Sequence, residues 1–347
     1  MGVPPARRFL VVVAVTVVLA LVTLLLPARE APPPRTGPMT HLNVGLVFDV
    51  GGRGDKSFND AAYAGVSRAR DELGVHVELL EPSGAEDREA ALRLFAARGF
   101  DLVIGVGFIF SSDINEVAGD FPDTNFSCVD YAPPMGAEVP PNVMGLGFRE
   151  EEGSFLVGAV AGLVTETKHL GFVGGMDIPL IHRFEAGYRA GMKHVCPDCE
   201  LHVGYAGTTP DAFRDPAKGK AIAVSQISAG ADVLYHASGT TGHGVFEAAR
   251  DMGVSAIGVD SDQYDEMPGT VITSMIKRVD VAVFEVVEAV GEKRFTSGLT
   301  SFGVAEEGVS YVSEGPHAEA ISDEVRRRVA AIAGQIAAGE IIMPSRN

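Results

Sequence analysis

Short apolar runs alternate with amphipathic runs along most of this chain, and that alternation narrows the available folds more than any other feature. Residues 43–48, 75–80, 101–106, 126–130 and 143–148 read as strands, with helices over 60–73 and 87–98 between the early ones. A second series follows: strands at 170–174, 200–205, 232–236, 255–260 and 271–276, with helices at 153–166, 181–194, 216–229 and 244–252. Gly74, Gly99 and Gly253 stand where helix carboxyl caps favour glycine. Strands separated by single helices imply parallel sheets with right-handed crossovers. A chain of 347 residues exceeds one typical core, so two domains are expected. The fold class predicted is α/β, with two doubly wound parallel-sheet lobes facing each other across a cleft.

Open α/β sheets hold ligands at the carboxyl ends of their strands. The loop Asp49-Val50-Gly51-Gly52-Arg53-Gly54-Asp55-Lys56-Ser57-Phe58-Asn59 occupies such a place, after the first strand and before the first helix. Asp49, Asp130 and Asp260 each end an apolar strand, which aims three carboxylates at the cleft. A single Asp after a strand is most often a turn former or helix cap. Three on both lobes fit a polyhydroxy ligand better, because carboxylates accept hydroxyl hydrogen bonds at about 1.5–3 kcal/mol each. Lys277, ending the strand 271–276, is placed to hold a hydroxyl and offset the carboxylate charge. Phe58 stands between Ser57 and Asn59 in a polar loop, a poor place for a core anchor, and Asn59 offers both a donor and an acceptor. The glycine-rich segment from Gly239 to Gly244 opens a helix after a strand, but its spacing does not match a dinucleotide loop. Gly239 is read as exposed backbone against which a ligand lies.

Net charge is −18, and the first 38 residues carry +3, so the remainder carries −21. Such a body repels phosphate backbones, which argues against nucleic acid as a partner. Arg7 and Arg8 precede an apolar run, 9–26, followed by a proline-rich stretch to Pro38. This reads as an export segment, either a cleaved signal or an uncleaved helical anchor, with the body outside the cytoplasm. A lipoprotein would need a cysteine just after that run, and the three cysteines are Cys128, Cys196 and Cys199. Cys196-Pro197-Asp198-Cys199 suits a small structural disulfide in an oxidising compartment, and Cys128 reads as a buried strand residue. The nine histidines have no metal spacing, so no metal and no cofactor are expected.

Six segments together resemble the basic membrane protein family of solute-binding proteins, which includes the purine-nucleoside receptor lipoproteins of ABC importers. They are the loop 49–59, Val129-Asp130-Tyr131, the stretch 171–179 with Phe184, Gly187 and Gly191, the segment 237–244, Gly258-Val259-Asp260-Ser261-Asp262-Gln263, and Thr273-Ser274-Met275-Ile276-Lys277-Arg278. The resemblance implies the architecture of a type I periplasmic binding protein, with three hinge crossings near Phe148, near Asp262 to Tyr264 and near Thr296 to Gly303. Residues 1–38 would then be signal or anchor and linker. One lobe would comprise 39–148 plus about 264–300, and the other 149–263 plus about 301–347. It further implies that Phe58 and Phe184 sandwich a purine base, that Asn59 sets base preference, and that ABC transporter membrane subunits are the partners. No catalytic residue is expected. Two other readings are an anchored nucleoside sensor and a nucleoside hydrolase using Asp49 and Asp55 as calcium ligands. The second needs six to eight oxygens in one place, and Lys56 opposes a cation there.

Overall fold

Asn43–Val47 (β1) is a run of apolar residues with both faces covered, as strands inside parallel sheets are. The computed structural model describes residues 38–344 apart from Ala85, Pro134 and Met135. The expected export segment, with its membrane partner, lies outside the described residues. Among the described residues, no helix is long and apolar enough to cross a membrane.

The first lobe continues through α1 (Phe58–Leu73), β2 (His76–Leu80), α2 (Glu86–Ala97), β3 (Leu102–Gly105), α3 (Ser111–Asp120), β4 (Asn125–Val129) and β5 (Val143–Phe148). The second contains α4 (Glu150–Val164), β6 (His169–Met176), α5 (Pro179–Val195), β7 (Glu200–Gly207), α6 (Pro216–Ser228), β8 (Val233–Ala237), α7 (Gly242–Met252), β9 (Ser255–Asp260) and β10 (Val271–Lys277). The chain then returns to the first lobe for α8 (Val279–Gly291) and β11 (Gly298–Phe302), and ends on the second with β12 (Val309–Tyr311) and α9 (Asp323–Ala337). The sheets have matching strand orders, β11-β5-β4-β3-β1-β2 and β12-β10-β9-β8-β6-β7. Every pairing is parallel except that of β12 with β10. In each sheet the order reverses once, between β1 and β3 and between β6 and β8, and ligands bind at such switch points.

Helices cover both faces of both sheets. Leu92 and Phe95 of α2 and Ile114 and Val117 of α3 pack on one face of the first sheet. Ala62 and Val66 of α1 and Val283 and Val287 of α8 belong to the continuous core on the other. Helices α4 and α5 pack backbone to backbone, because Gly187 and Gly191 face the carbonyls of Glu151 and Phe155 where a Cβ would come within 2.2 and 1.9 Å.

The hinge forms where the chain passes between lobes, at Arg149, at Arg278 and at 303–308. It is tied by Arg149 N donating to the carbonyl of Phe302 and Arg278 N donating to that of Gly308, at 2.8 and 2.9 Å. The second passage was expected near Asp262 to Tyr264. Instead β10 pairs with β9 from Val271 to Ile276 and stays in the second sheet, so the chain leaves only after Lys277. The polar segment 261–267 contains a 3-10 turn, Tyr264–Glu266, within one lobe and is not a connection between two.

Candidate functional site

One cleft between the lobes brings together all eight residues singled out from the sequence: Asp49, Phe58, Asn59, Asp130, Phe184, Gly239, Asp260 and Lys277 line the same cavity. It holds about 610 Å³ of unfilled space, open solvent at its mouth included.

At its floor lies Lys277, 2 % exposed at the end of β10. Its Nζ donates to both carboxylate oxygens of Asp130 at 2.6 and 2.7 Å and lies 3.1 Å from Glu150. Burial pushes the lysine down, but the carboxylates of Asp130, Glu150 and Asp260 outweigh it and hold the ammonium above its ordinary value. The rings of Phe148, Phe58 and Phe184 stand 4.9, 5.1 and 5.6 Å from the same nitrogen, a cation–π environment. Glu150, fully buried at the start of α4, also pairs with Arg183 of α5 at 2.9 Å. Burial pushes its carboxyl upward against the pull of Lys277 and Arg183. Lys277 is therefore bound to the protein on two sides, offsetting the carboxylate charge as the sequence suggested.

Asp130 and Asp260 occupy equivalent places after β4 and β9, and both adopt left-handed backbone, with φ of 58° and 66°. A non-glycine residue there costs about 1 kcal/mol or more, and such strain gathers at binding sites. Asp260 accepts a 2.5 Å hydrogen bond from Ser57 Oγ of the other lobe, and burial pushes its carboxyl up to about 6 against Lys277 and Ser57. Asp49 is half-buried, and burial pushes its carboxyl up to about 7. Its carboxylate lies against Gly107, where φ is 106° and a Cβ would come within 2.3 Å of Oδ2.

Phe58 and Asn59 were read as loop residues, but they open α1, two residues before the expected start. The cause is Asp55. Its carboxylate accepts from the backbone N–H of Ser57, Asn59 and Asp60 and from Nδ2 of Asn59, at 2.8–3.1 Å, satisfying the donors that a helix start leaves unpaired. A carboxylate engaged by four donors is a poor calcium ligand. Asn59 Oδ1 accepts from the backbone N–H of Asp49 at 3.0 Å while its Nδ2 donates to Asp55, so the amide is held in one orientation.

Sequence reasoning missed Phe213, Leu180 and Ser238, which line the cavity too. Phe213 sits at the end of a 3-10 turn, Pro210–Phe213, with its ring over Gly175 where a Cβ would come within 2.3 Å. A lone aromatic within the polar run Thr208-Thr209-Pro210-Asp211-Ala212-Phe213-Arg214-Asp215 carries the same signal that drew attention to Phe58. Elsewhere, Cys196 and Cys199 form a disulfide closing the turn between α5 and β7, and Cys128 is buried in β4. Among the described residues no cluster of three or more His, Cys, Asp or Glu side chains is arranged to hold a metal.

Two parallel-sheet lobes, three passages between them and a polar, aromatic-lined cleft define a solute-binding protein of the type I periplasmic class. A solved structure of an ABC transporter system solute-binding protein from Aeropyrum pernix K1 superposes with a TM-score of 0.78 at 32 % identity, covering 88 % of this chain and 94 % of that one. The chain belongs to the Bmp family of PnrA-like ABC transporter substrate-binding proteins, whose family model matches residues 42–347. An uncharacterized lipoprotein of Pyrococcus horikoshii is 36 % identical over 280 residues, 78 % of this chain and 68 % of that one. The ABC transporter nucleoside-binding protein BmpA of Lactococcus lactis subsp. cremoris is 30 % identical over 329 residues, 88 % of this chain and 90 % of that one.

Proposed function

We propose that this protein is the extracytoplasmic receptor of an ABC importer and encloses a nucleoside, with purines preferred, between its lobes. It holds the ligand without reacting it and delivers it to membrane-embedded permease subunits. The observation that carries this reading is the convergence of unlike groups from both lobes on one cavity. Aromatic faces of Phe58, Phe184 and Phe213 adjoin the carboxylates of Asp130 and Asp260 around a buried Lys277. A flat base requires the first set, since each stacked face contributes about 1–3 kcal/mol whatever the base. A ribose requires the second, because its hydroxyls donate to carboxylates and accept from an ammonium. Asp49 and Asn59 stand beside Phe58, where the edge of a stacked base would lie, and Gly239 contributes backbone on the second lobe. The Lactococcus relative's description as nucleoside-binding supports this choice of ligand. The Pyrococcus relative's description as a lipoprotein supports placement on the outer face of the membrane.

The test is calorimetric titration of protein that has been unfolded and refolded to strip carried-over ligand. Adenosine, guanosine, inosine, uridine and ribose are the titrants. One-to-one binding of a purine nucleoside with ribose silent is expected. Heat from none of the five would remove the nucleoside assignment.

A further inference from the structure

His236 is fully buried in β8, and its ring packs edge-on to Phe246 at 4.9 Å and against Gly242, where a Cβ would fall 2.0 Å from Cε1. With no room to turn, its two nitrogens keep fixed partners. Nε2 lies 3.2 Å from Gln263 Oε1, and Nδ1 lies 3.3 Å from the hydroxyl of Ser238. Ser238 lines the ligand cavity at the second sheet's switch point, immediately before Gly239.

The direction of each hydrogen bond follows from two backbone groups whose roles are not in question. The N–H of Val259 donates to Gln263 Oε1 at 2.9 Å, and Gln263 Nε2 donates to the carbonyl of Lys56 at 3.2 Å. A flipped amide would set donor against donor at Val259 and acceptor against acceptor at Lys56, so the oxygen faces His236. Nε2 of the histidine must then carry the hydrogen. Burial, the largest influence on the ring, pushes its pKa down to about 3 and keeps it neutral. Neutral imidazole with Nε2 protonated leaves Nδ1 as an acceptor, so the Ser238 hydroxyl donates its single hydrogen inward. What remains for the cavity is lone pairs.

We propose that Ser238 is a ligand-contacting residue fixed as a hydrogen-bond acceptor by His236 and Gln263, and that the ligand group facing it is an O–H or N–H donor. This deepens the nucleoside reading and rests on it for the choice of probes, though not for the polarity of Ser238. Gln263 is a positioning residue. Its bond from Val259 lies within one lobe, so the polarity is set before the ligand arrives, and its bond to Lys56 joins the same relay to the opposite lobe next to Ser57 and Phe58. A hydroxyl already committed inward discriminates against an acceptor at that point of the ligand, whereas an ordinary serine would rotate to suit either.

Two measurements on the full chain test this. Nitrogen-15 spectra of protein labelled at histidine should show His236 as the neutral Nε2–H tautomer between pH 5.5 and 8. Gln263→Leu should release that preference, and Gln263→Glu should retain it. An Nδ1–H tautomer or a protonated ring in the wild type would overturn the assignment. The second measurement compares wild type with Ser238→Ala, using whichever of adenosine and guanosine binds together with its 2′-, 3′- and 5′-deoxy forms and purine riboside. Ser238→Ala should weaken the parent nucleoside roughly three- to tenfold, the loss of one neutral hydrogen bond. One analogue, lacking the donor, should be indifferent to the substitution. Equal weakening of every analogue would sink the contact. If no nucleoside binds, the nucleoside reading fails, while the tautomer still decides whether Ser238 is an acceptor.

Discussion

Replacing Lys277 by methionine should destabilise the protein severely at alkaline pH and much less at acid pH. The lysine, Asp130 and Glu150 side chains are 1, 6 and 0 % exposed, and their charges stand 2.6–3.1 Å apart. Methionine fills the space among the rings of Phe58, Phe148 and Phe184, so the loss is mainly one of charge and not a cavity. Removing one member of a buried ion pair costs about 3–5 kcal/mol. Proton uptake caps that cost. Keeping an aspartate of ordinary pKa neutral in the folded state costs about 1.36 kcal/mol per pH unit, so roughly 5.6 kcal/mol at pH 8 and roughly 2 kcal/mol at pH 5.5. Glu150 adds less, since burial already pushes its carboxyl up with the lysine in place. Lys277→Met should therefore lose about 3–5 kcal/mol at pH 8 and roughly 2 kcal/mol at pH 5.5, read from urea unfolding with unchanged slope. Adding Asp130→Asn should recover much of the loss at pH 8, because the orphaned charge is gone. Equal losses at both pH values, or a loss below about 1 kcal/mol at pH 8, would refute the buried triad as the source of the effect.

Phe58→Ala should raise the dissociation constant for a purine nucleoside about five- to 150-fold, the loss of one stacking face, while the unfolding midpoint moves little. Unchanged affinity would remove Phe58 from the site. Affinity should also fall with pH. Hydroxyl donors need ionised acceptors, and Asp260 and Asp49 have carboxyls pushed up to about 6 and about 7 by burial. A ligand that favours the carboxylate expels those protons, so binding is full strength above about pH 7 and weakens about tenfold per unit per proton below the free-state values. Calorimetry at pH 6 in buffers of different ionisation enthalpy should register proton release, and proton uptake would contradict the carboxylate contacts. The Cys196–Cys199 disulfide spans a sequence separation of three, a loop whose closure contributes about 2 kcal/mol in the chain-entropy model. The double serine variant should lose no more than that and bind ligand normally, and a change in affinity would tie the turn to the cleft.

Ten of the twelve strands among the described residues, and most helices, were legible because period and punctuation agreed. The runs before Asp49, Asp130 and Asp260 are continuous apolar stretches bounded by polar loops, as buried parallel strands are. α8 escaped because its sequence, Val279-Asp280-Val281-Ala282-Val283-Phe284-Glu285-Val286-Val287, is rich in β-branched residues and reads as well as strand as helix. Its helical state comes from burial between α1 and the first sheet. The second hinge crossing was misplaced because a crossing leaves no composition signal. At Arg149 and Arg278 the chain changes lobe within a single residue between a strand and a helix. The cavity-lining residues Asp49, Asp130, Asp260 and Lys277 were legible at strand ends, whereas the groups that hold them in place were not. Glu150 looks like one of three acidic residues opening a helix, Glu150-Glu151-Glu152, the usual pattern at a positive helix end. Only the fold sets it beneath Lys277 and against Arg183. His236 and Gln263 lie 27 residues apart, and no spacing rule links them.

The two lobes place their aspartates by the same device, and this bears on how the cleft works. Asp130 and Asp260 follow the third strand from the hinge edge of each sheet, and each holds a left-handed backbone that turns its carboxylate inward. A ligand bonded to both therefore bridges the lobes. The two carboxylates are not equally committed, however. Asp130 is bound across the lobes by Lys277 in a buried ion pair beside the hinge, whereas Asp260 is held across them by the hydroxyl of Ser57 and, nearby, by Gln263 bonding the Lys56 carbonyl. Separating a buried ion pair costs about 3–5 kcal/mol, whereas parting a hydroxyl from a carboxylate costs about 1.5–3 kcal/mol and an amide from a carbonyl about 1 kcal/mol. Opening should accordingly part Ser57 from Asp260 while Lys277 stays on Asp130. The floor of the cleft would persist as a preformed half-site, and a ligand would close the other half by taking the place of water between Asp260 and Phe58 at the start of α1.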